Sequence, residues 1–141
     1  MIRDSATCQA NHDRFISRVI ESETVWYLTG ENGAAVCESN DFENCDVILF
    51  FSDKAYAKRA KDQSFKEFEA QSTTLFDFLF RWLVGMDEDG IAAGTNWTGD
   101  LVGFEFDPQD LKDEIESAMG SEMLDSYIKE LERQIAVQGN A

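Results

Sequence analysis

The sequence predicts a single mixed α+β domain, with five or six strands in a mixed, largely antiparallel sheet and four or five flanking helices. Three observations carry this expectation. Apolar residues recur at helical spacing in several separated stretches. Asn32-Gly33 divides two short β-prone runs, a strong signal for a tight hairpin. Residues 47–51, VILFF, form an unbroken apolar run of the kind a strand covered on both faces requires. At 141 residues the chain is long enough to bury about two thirds of its unfolded surface in one core. No repeat, linker or low-complexity stretch divides it, so 1–141 reads as one domain.

Taken in order, the first helix is expected over 5–22, with Cys8, His12, Phe15, Ile16, Val19 and Ile20 on one face. A strand over 25–28, the Asn32-Gly33 turn and a return strand over 34–37 follow. Residues 38–45 read as a polar, acidic loop apart from Phe42. After the strand 47–51, Ser52 is positioned to cap a helix over 53–61 whose Lys54, Lys58, Arg59 and Lys61 read as a solvated basic face. A further strand is expected over 65–69, with Lys66 and Glu67 near its polar side.

Residues 75–84 predict the most buried helix, since Leu75, Phe78, Leu79, Trp82, Phe76, Phe80 and Leu83 leave little polar surface. Thr74 is its expected N-cap and Gly85 its expected end. Asp77 and Arg81, four apart with the acid first, mark its wet stripe, and the helix is expected to lie on strand 47–51. Asp87, Glu88, Asp89 and Gly90 then read as a solvated turn, followed by strands over 91–95 and 101–106. Asp107-Pro108 opens a helix with Leu111, Ile115 and Met119 inward. The last helix, amphipathic over about 122–137, presents Leu124, Tyr127, Ile128, Leu131 and Ile135, a face that must cover either the sheet or a second copy of the chain.

The segments FLFRWLVGM, DEDG and IAAGTNW, together with Leu101, Gly103, Glu105 and Pro108 in an L-x-G-x-E-x-x-P pattern, resemble the bacterial family DUF2750, a domain of unknown function. An upstream VWYL strand and the segment FFSDKAYA extend the resemblance to about 15–119. It implies a small bacterial cytoplasmic α/β protein and brings no catalytic residues with it.

Twenty-eight acids against twelve bases give a net charge of -16. The excess is uneven: residues 1–84 carry 14 acids and 9 bases, residues 85–141 carry 14 acids and only 3 bases. Such a surface repels nucleic acid and anionic membranes and attracts cationic partners at low salt. Solubility or adaptation to a salty cell interior explains the same charge. The N-terminus lacks a secretory apolar segment, no run is long enough to span a membrane, and three cysteines without a C-x-x-C motif agree with a reducing compartment, so a cytoplasmic protein is expected.

Cys8, His12, Cys37 and Cys45 supply the residue types of a zinc site, but a C-x7-C spacing is no recognised knuckle. The thiols therefore read as small core residues and His12 as a satisfied helix histidine, and no metal or other cofactor is expected. The acidic turn fails as a calcium loop, because from Asp87 the sixth position is Ala92 and the twelfth Thr98. No phosphate loop, dinucleotide fingerprint or nucleophile elbow occurs, and no catalytic residue is assigned.

The tip after strand 91–95 combines Asn96, Trp97, Thr98 and Asp100. Two readings stand side by side. Either Trp97, with Asn96, Asp100 and the neighbouring Asp87 and Asp89, faces a partner, or Trp97 folds back as a lid on the sheet edge. The first functional expectation is a non-enzymatic acidic module, immunity-like or regulatory, that engages a basic protein, with a homodimer through the last helix as a further possibility. The alternative is a small-molecule-binding protein or small enzyme with a pocket lined by Trp26, Tyr27, Trp82 and Trp97.

Overall fold

The computed structural model describes residues 5–39 and 44–139. The middle of the acidic loop read over 38–45, including Phe42, lies outside the described residues. Helix α1 is Ser5–Ser22, as its apolar spacing predicts. Strands β1 (Thr24–Gly30), β2 (Gly33–Ala34), β3 (Val36–Glu38) and β4 (Asp46–Phe51) follow, then α2 (Lys54–Ser64) and β5 (Glu69–Thr74). Three abutting helical segments, Leu75–Asp77, the π-helical Phe78–Trp82 and Leu83–Asp89, make up α3. Strands β6 (Ala92–Thr95) and β7 (Phe104–Phe106) and helices α4 (Pro108–Met119) and α5 (Ser121–Gly139) complete the fold.

The sheet is mixed and largely antiparallel, with seven strands among the described residues rather than five or six. The reason is local. β1 pairs with β4 at Trp26↔Phe51 and Tyr27↔Phe50, but its far end turns through the Gly30↔Gly33 hairpin into β2. The same chain then runs on as β3 beside Cys37↔Val47, so one return strand is split between two neighbours. β5 pairs with the other side of β1, β6 runs parallel to β4, and β7 is antiparallel to β6. The connections leaving the parallel pair diverge: β4 leads through α2 to β5 at one edge, and β6 leads to β7 at the other.

Strand alternation divides the core into two layers. Ile48, Phe50, Val25 and Ala93 point to one face, where Phe15 and Val19 of α1, Leu75, Phe78, Leu79 and Leu83 of α3, and Leu111 and Ile115 of α4 bury them. Val47, Leu49, Phe51, Leu28 and Ala92 point to the other, under Ala57 and Ala60 of α2 and the ring of Trp97. Phe50 meets Phe78 at 4.7 Å and Trp82 at 5.6 Å in edge-to-face contacts, so α3 lies on β4 as expected.

Several boundaries differ from the expectation for identifiable reasons. α3 continues through Gly85, at which an added Cβ would meet nothing, and ends at Gly90, whose φ of 70° is left-handed. The DEDG stretch is therefore its last turn. Thr74 does cap it, accepting from the Asp77 amide, and the Asp77–Arg81 pair forms at 3.4 Å. Ser52 does not cap α2; its hydroxyl donates to Asp53, the residue at the cap position. The expected strand 65–69 is a turn closed by Phe68 N–H on the Phe65 carbonyl, and the strand lies later, over EAQSTT, where no apolar alternation signals it. α5 covers α3 rather than the sheet: Tyr127 packs on Phe76 and Phe80 and its hydroxyl donates to Glu23. Ile128, Ile135 and Val137 stay exposed. No described helix is long and apolar enough to cross a membrane.

Candidate functional site

The five residues Asn96, Trp97, Asp100, Asp87 and Asp89 do not form one surface. Asp87 and Asp89 precede β6 and Asp100 follows it, so a strand of four residues, about 13 Å of chain, separates them. Asp87, Asp89 and Asp100 are exposed, whereas Asn96 and Trp97 are 5% and 4% exposed. Trp97 is turned inward. Its ring lies back over the sheet, in the space two glycines leave: a Cβ on Gly94 would stand 2.6 Å from its Nε1, and one on Gly103 2.2 Å from its Cδ1. Its indole N–H donates to the Phe104 carbonyl at 2.8 Å. Of the two readings of the tip, the lid is the one observed.

Asn96 is also structural. Its φ of 48° is left-handed, a conformation asparagine tolerates better than most residues. Its side-chain oxygen accepts from the Ser52 amide at 2.8 Å, and its amide group donates to the Ser52 hydroxyl and to the Asn11 carbonyl. One side chain thus ties the ends of β4 and β6 to α1. Beside it Arg18 donates twice to Asp53, at 2.8 and 2.7 Å. Burial acts to raise the Asp53 carboxyl, but hydrogen bonds from Arg18 and Ser52 and the charge of Arg18 outweigh it and hold the group below the usual carboxylate range.

The four aromatics Trp26, Tyr27, Trp82 and Trp97 do not line one pocket. Neighbours on a strand point to opposite faces, so Tyr27 meets Trp82 at 4.6 Å in one core layer while Trp26 and Trp97 belong to the other. The suggested zinc ligands are separated too. Cys37 and Cys45 pack in the α2 layer, Cys8 and His12 lie on α1 across the sheet, and no group of three metal-binding side chains occurs among the described residues.

His12 is 2% exposed and uses both ring nitrogens: Nε2 meets Glu114 and Nδ1 meets the Thr95 hydroxyl, each at 2.8 Å. An ionised carboxylate only accepts, so the Nε2 proton is directed at Glu114, and Nδ1 shares a hydrogen bond with the Thr95 hydroxyl. The order hydroxyl, imidazole, carboxylate is that of a nucleophile triad, but Thr95 is 1% exposed, inside the core rather than in a cleft. The group works as a brace, with the imidazole stacked on Phe106 at 4.2 Å.

That brace supports the more open feature. At the N-terminal end of the β4/β6 pair a concavity of about 460 Å³ has a floor of Ile91, Ala92, Phe106 and Pro108 and a rim of Asp87, Glu105, Asp107 and Asp110. Among the described residues no lysine or arginine lines it. Asp107 also caps α4 by accepting from the amides of Gln109 and Asp110, and Glu105 accepts from the Ser39 hydroxyl at 2.6 Å. The thiol of Cys37 is pushed up by burial and by the charge of Glu105. Of the residues singled out from sequence only Asp87 belongs to this rim; Asp89 lies beside it, outside the lining. Glu105 was visible as a member of the L-x-G-x-E-x-x-P pattern and Pro108 both there and as the first residue of a helix, and the structure gives that pattern a physical content. Gly103 admits Trp97, Glu105 joins the rim, and Pro108 starts the helix that closes the floor.

A family model described as "Protein of unknown function (DUF2750)" matches residues 12–115, and the chain belongs to that family. No curated protein and no solved structure matches it. Both ends of the β4/β6 pair fall inside the matched part, and α5 falls outside it.

Proposed function

We propose that this DUF2750 protein is a binding module that docks a basic protein partner in the acidic concavity at the N-terminal end of β4 and β6. The observation that carries the reading is the combination of an apolar floor with four rim carboxylates and, among the described residues, no lining cation. A lysine or arginine side chain matches it in both parts. Its charged head, at about 4 Å from one carboxylate, gains about 4 kcal/mol at an effective dielectric near 20 before its desolvation is subtracted. Its methylene stem gains about 0.8 kcal/mol per CH₂ laid on Ile91 and Phe106. The acid excess of residues 85–141 adds long-range attraction that salt screens. Three cysteines without a disulfide among the described residues fit a reducing compartment, so a cytoplasmic module is the form this proposal takes.

The test is capture from native lysate at low salt, with the wild-type chain and with the double variant Asp87→Asn, Asp110→Asn. The reading expects a basic protein on the wild type that salt releases and that the variant fails to hold. A partner retained equally by the variant, or insensitive to salt, contradicts it.

A further inference from the structure

We infer that the opposite, C-terminal end of the β4/β6 pair carries a second site, a small cleft between α1 and α2 that binds a phosphate monoester group. The topology places it. In open sheets with parallel strands, ligands settle outside the carboxyl ends of two parallel neighbours whose onward connections run to opposite sides. β4 and β6 are such neighbours: one leads to the β5 edge and the other to the β7 edge.

The side chains at that point are of the matching kind. Arg14 of α1 and Arg59 of α2 line a cleft of about 80 Å³ with Tyr56, Asn96, Thr98 and Gly99. Both helices deliver their arginine to one aromatic ring. Arg14 donates to the Tyr56 hydroxyl at 3.0 Å, and the Arg59 guanidinium sits 5.6 Å from the centre of the same ring. Neither arginine forms an ion pair with a carboxylate among the described residues, although the chain holds 28 acids and 12 bases. The nearby carboxylate of Asp53 is hydrogen-bonded by two nitrogens of Arg18 and feels the charge of Arg14 without pairing with it.

The lining is rich in donors. Tyr56 accepts from Arg14, which leaves its own O–H free to donate, and the two guanidiniums present planar forks suited to bidentate contact with an oxyanion. The Asn96 amide is spent on Ser52 and Asn11, so it fixes the cleft wall rather than the ligand. The volume equals about two or three waters, enough for one tetrahedral head and too little for a base or sugar, which would extend outward. The site is independent of the acidic concavity and stands or falls without it.

The experiment is a titration of the full-length chain with inorganic phosphate at fixed ionic strength, followed by amide resonances. Acetate serves as the carboxylate control, and phosphoserine and ribose 5-phosphate as two sources of the same group. The expected result is saturable shifts at Thr98 and Gly99, at least about tenfold weaker binding in Arg14→Gln and Arg59→Gln, and no change in Lys129→Gln. Tighter binding by one of the two monoesters assigns the source. Absence of saturable shifts, equal affinity for acetate, or unchanged binding in both arginine variants overturns the proposal.

Discussion

The two ends of the parallel strands β4 and β6 are built from opposite materials. At the C-terminal end the tip residues are used inside the protein: Asn96 makes three hydrogen bonds, Asp53 holds Arg18, and Trp97 is sealed over two glycines, which leaves the arginines of the α1–α2 cleft as the outward polar groups. At the N-terminal end Asp87 and Asp110 form no ion pair among the described residues, and an apolar floor lies open between them. The difference teaches that the conspicuous tip of the sequence, with its tryptophan and asparagine, serves architecture. The plain acids around β7 are the groups left facing outward.

The comparison can be broken most forcefully at Trp97. If the C-terminal end is architectural, Trp97→Ala costs about 3–5 kcal/mol in urea unfolding. A cost below about 1 kcal/mol would mean that the ring covers little. Gly103→Ala sharpens the same point with a smaller effect, about 1–3 kcal/mol, because the new methyl stands 2.2 Å from the Trp97 ring. Combined with Trp97→Ala, much of that penalty should vanish in a double-mutant cycle.

A smaller effect concerns acid. The folded Asp53 carboxyl lies below its unfolded value of about 3.9, so its contribution is complete above that pH and is lost as pH falls through the folded value. Arg18→Gln should therefore lower stability at neutral pH and flatten part of the acid limb. Glu130, held down to about 2 by hydrogen bonds from Arg133 and Gln134, leaves the rest of that limb in place. Unfolding midpoints at neutral and acid pH for the two chains provide the check. The smallest effect belongs to the other end: Asp87→Asn and Asp110→Asn should change stability by no more than about 0.5 kcal/mol while weakening attachment of a basic partner. A large stability loss there would show that the rim is structural after all.

The helices were legible in the sequence because each carries its own apolar period, as the match of α1 with 5–22 shows. The end of α3 was not, since Gly85 and Gly90 are both plausible stops and only backbone geometry separates them. β5 was misplaced because EAQSTT is polar throughout; its partner β1 makes it a strand. The burial of Trp97 had a readable trace in the glycines three residues before and six after it. The Asn96 knot had none, because its partners Ser52 and Asn11 lie 44 and 85 residues away in sequence. The same distance hid the concavity and the Arg14–Tyr56–Arg59 cluster, which arise only when β6, β7, α1 and α2 come together.

The most direct test of the central claim, that the acidic N-terminal end of β4 and β6 is the docking face for cations, is an amide-resonance titration with hexalysine at low and high salt. The account predicts shifts concentrated at Ile91, Ala92, Phe106 and Asp107 that fade as salt rises and are lost in Asp87→Asn, Asp110→Asn. Shifts spread evenly over the acids of α5, or none at the concavity, would contradict it.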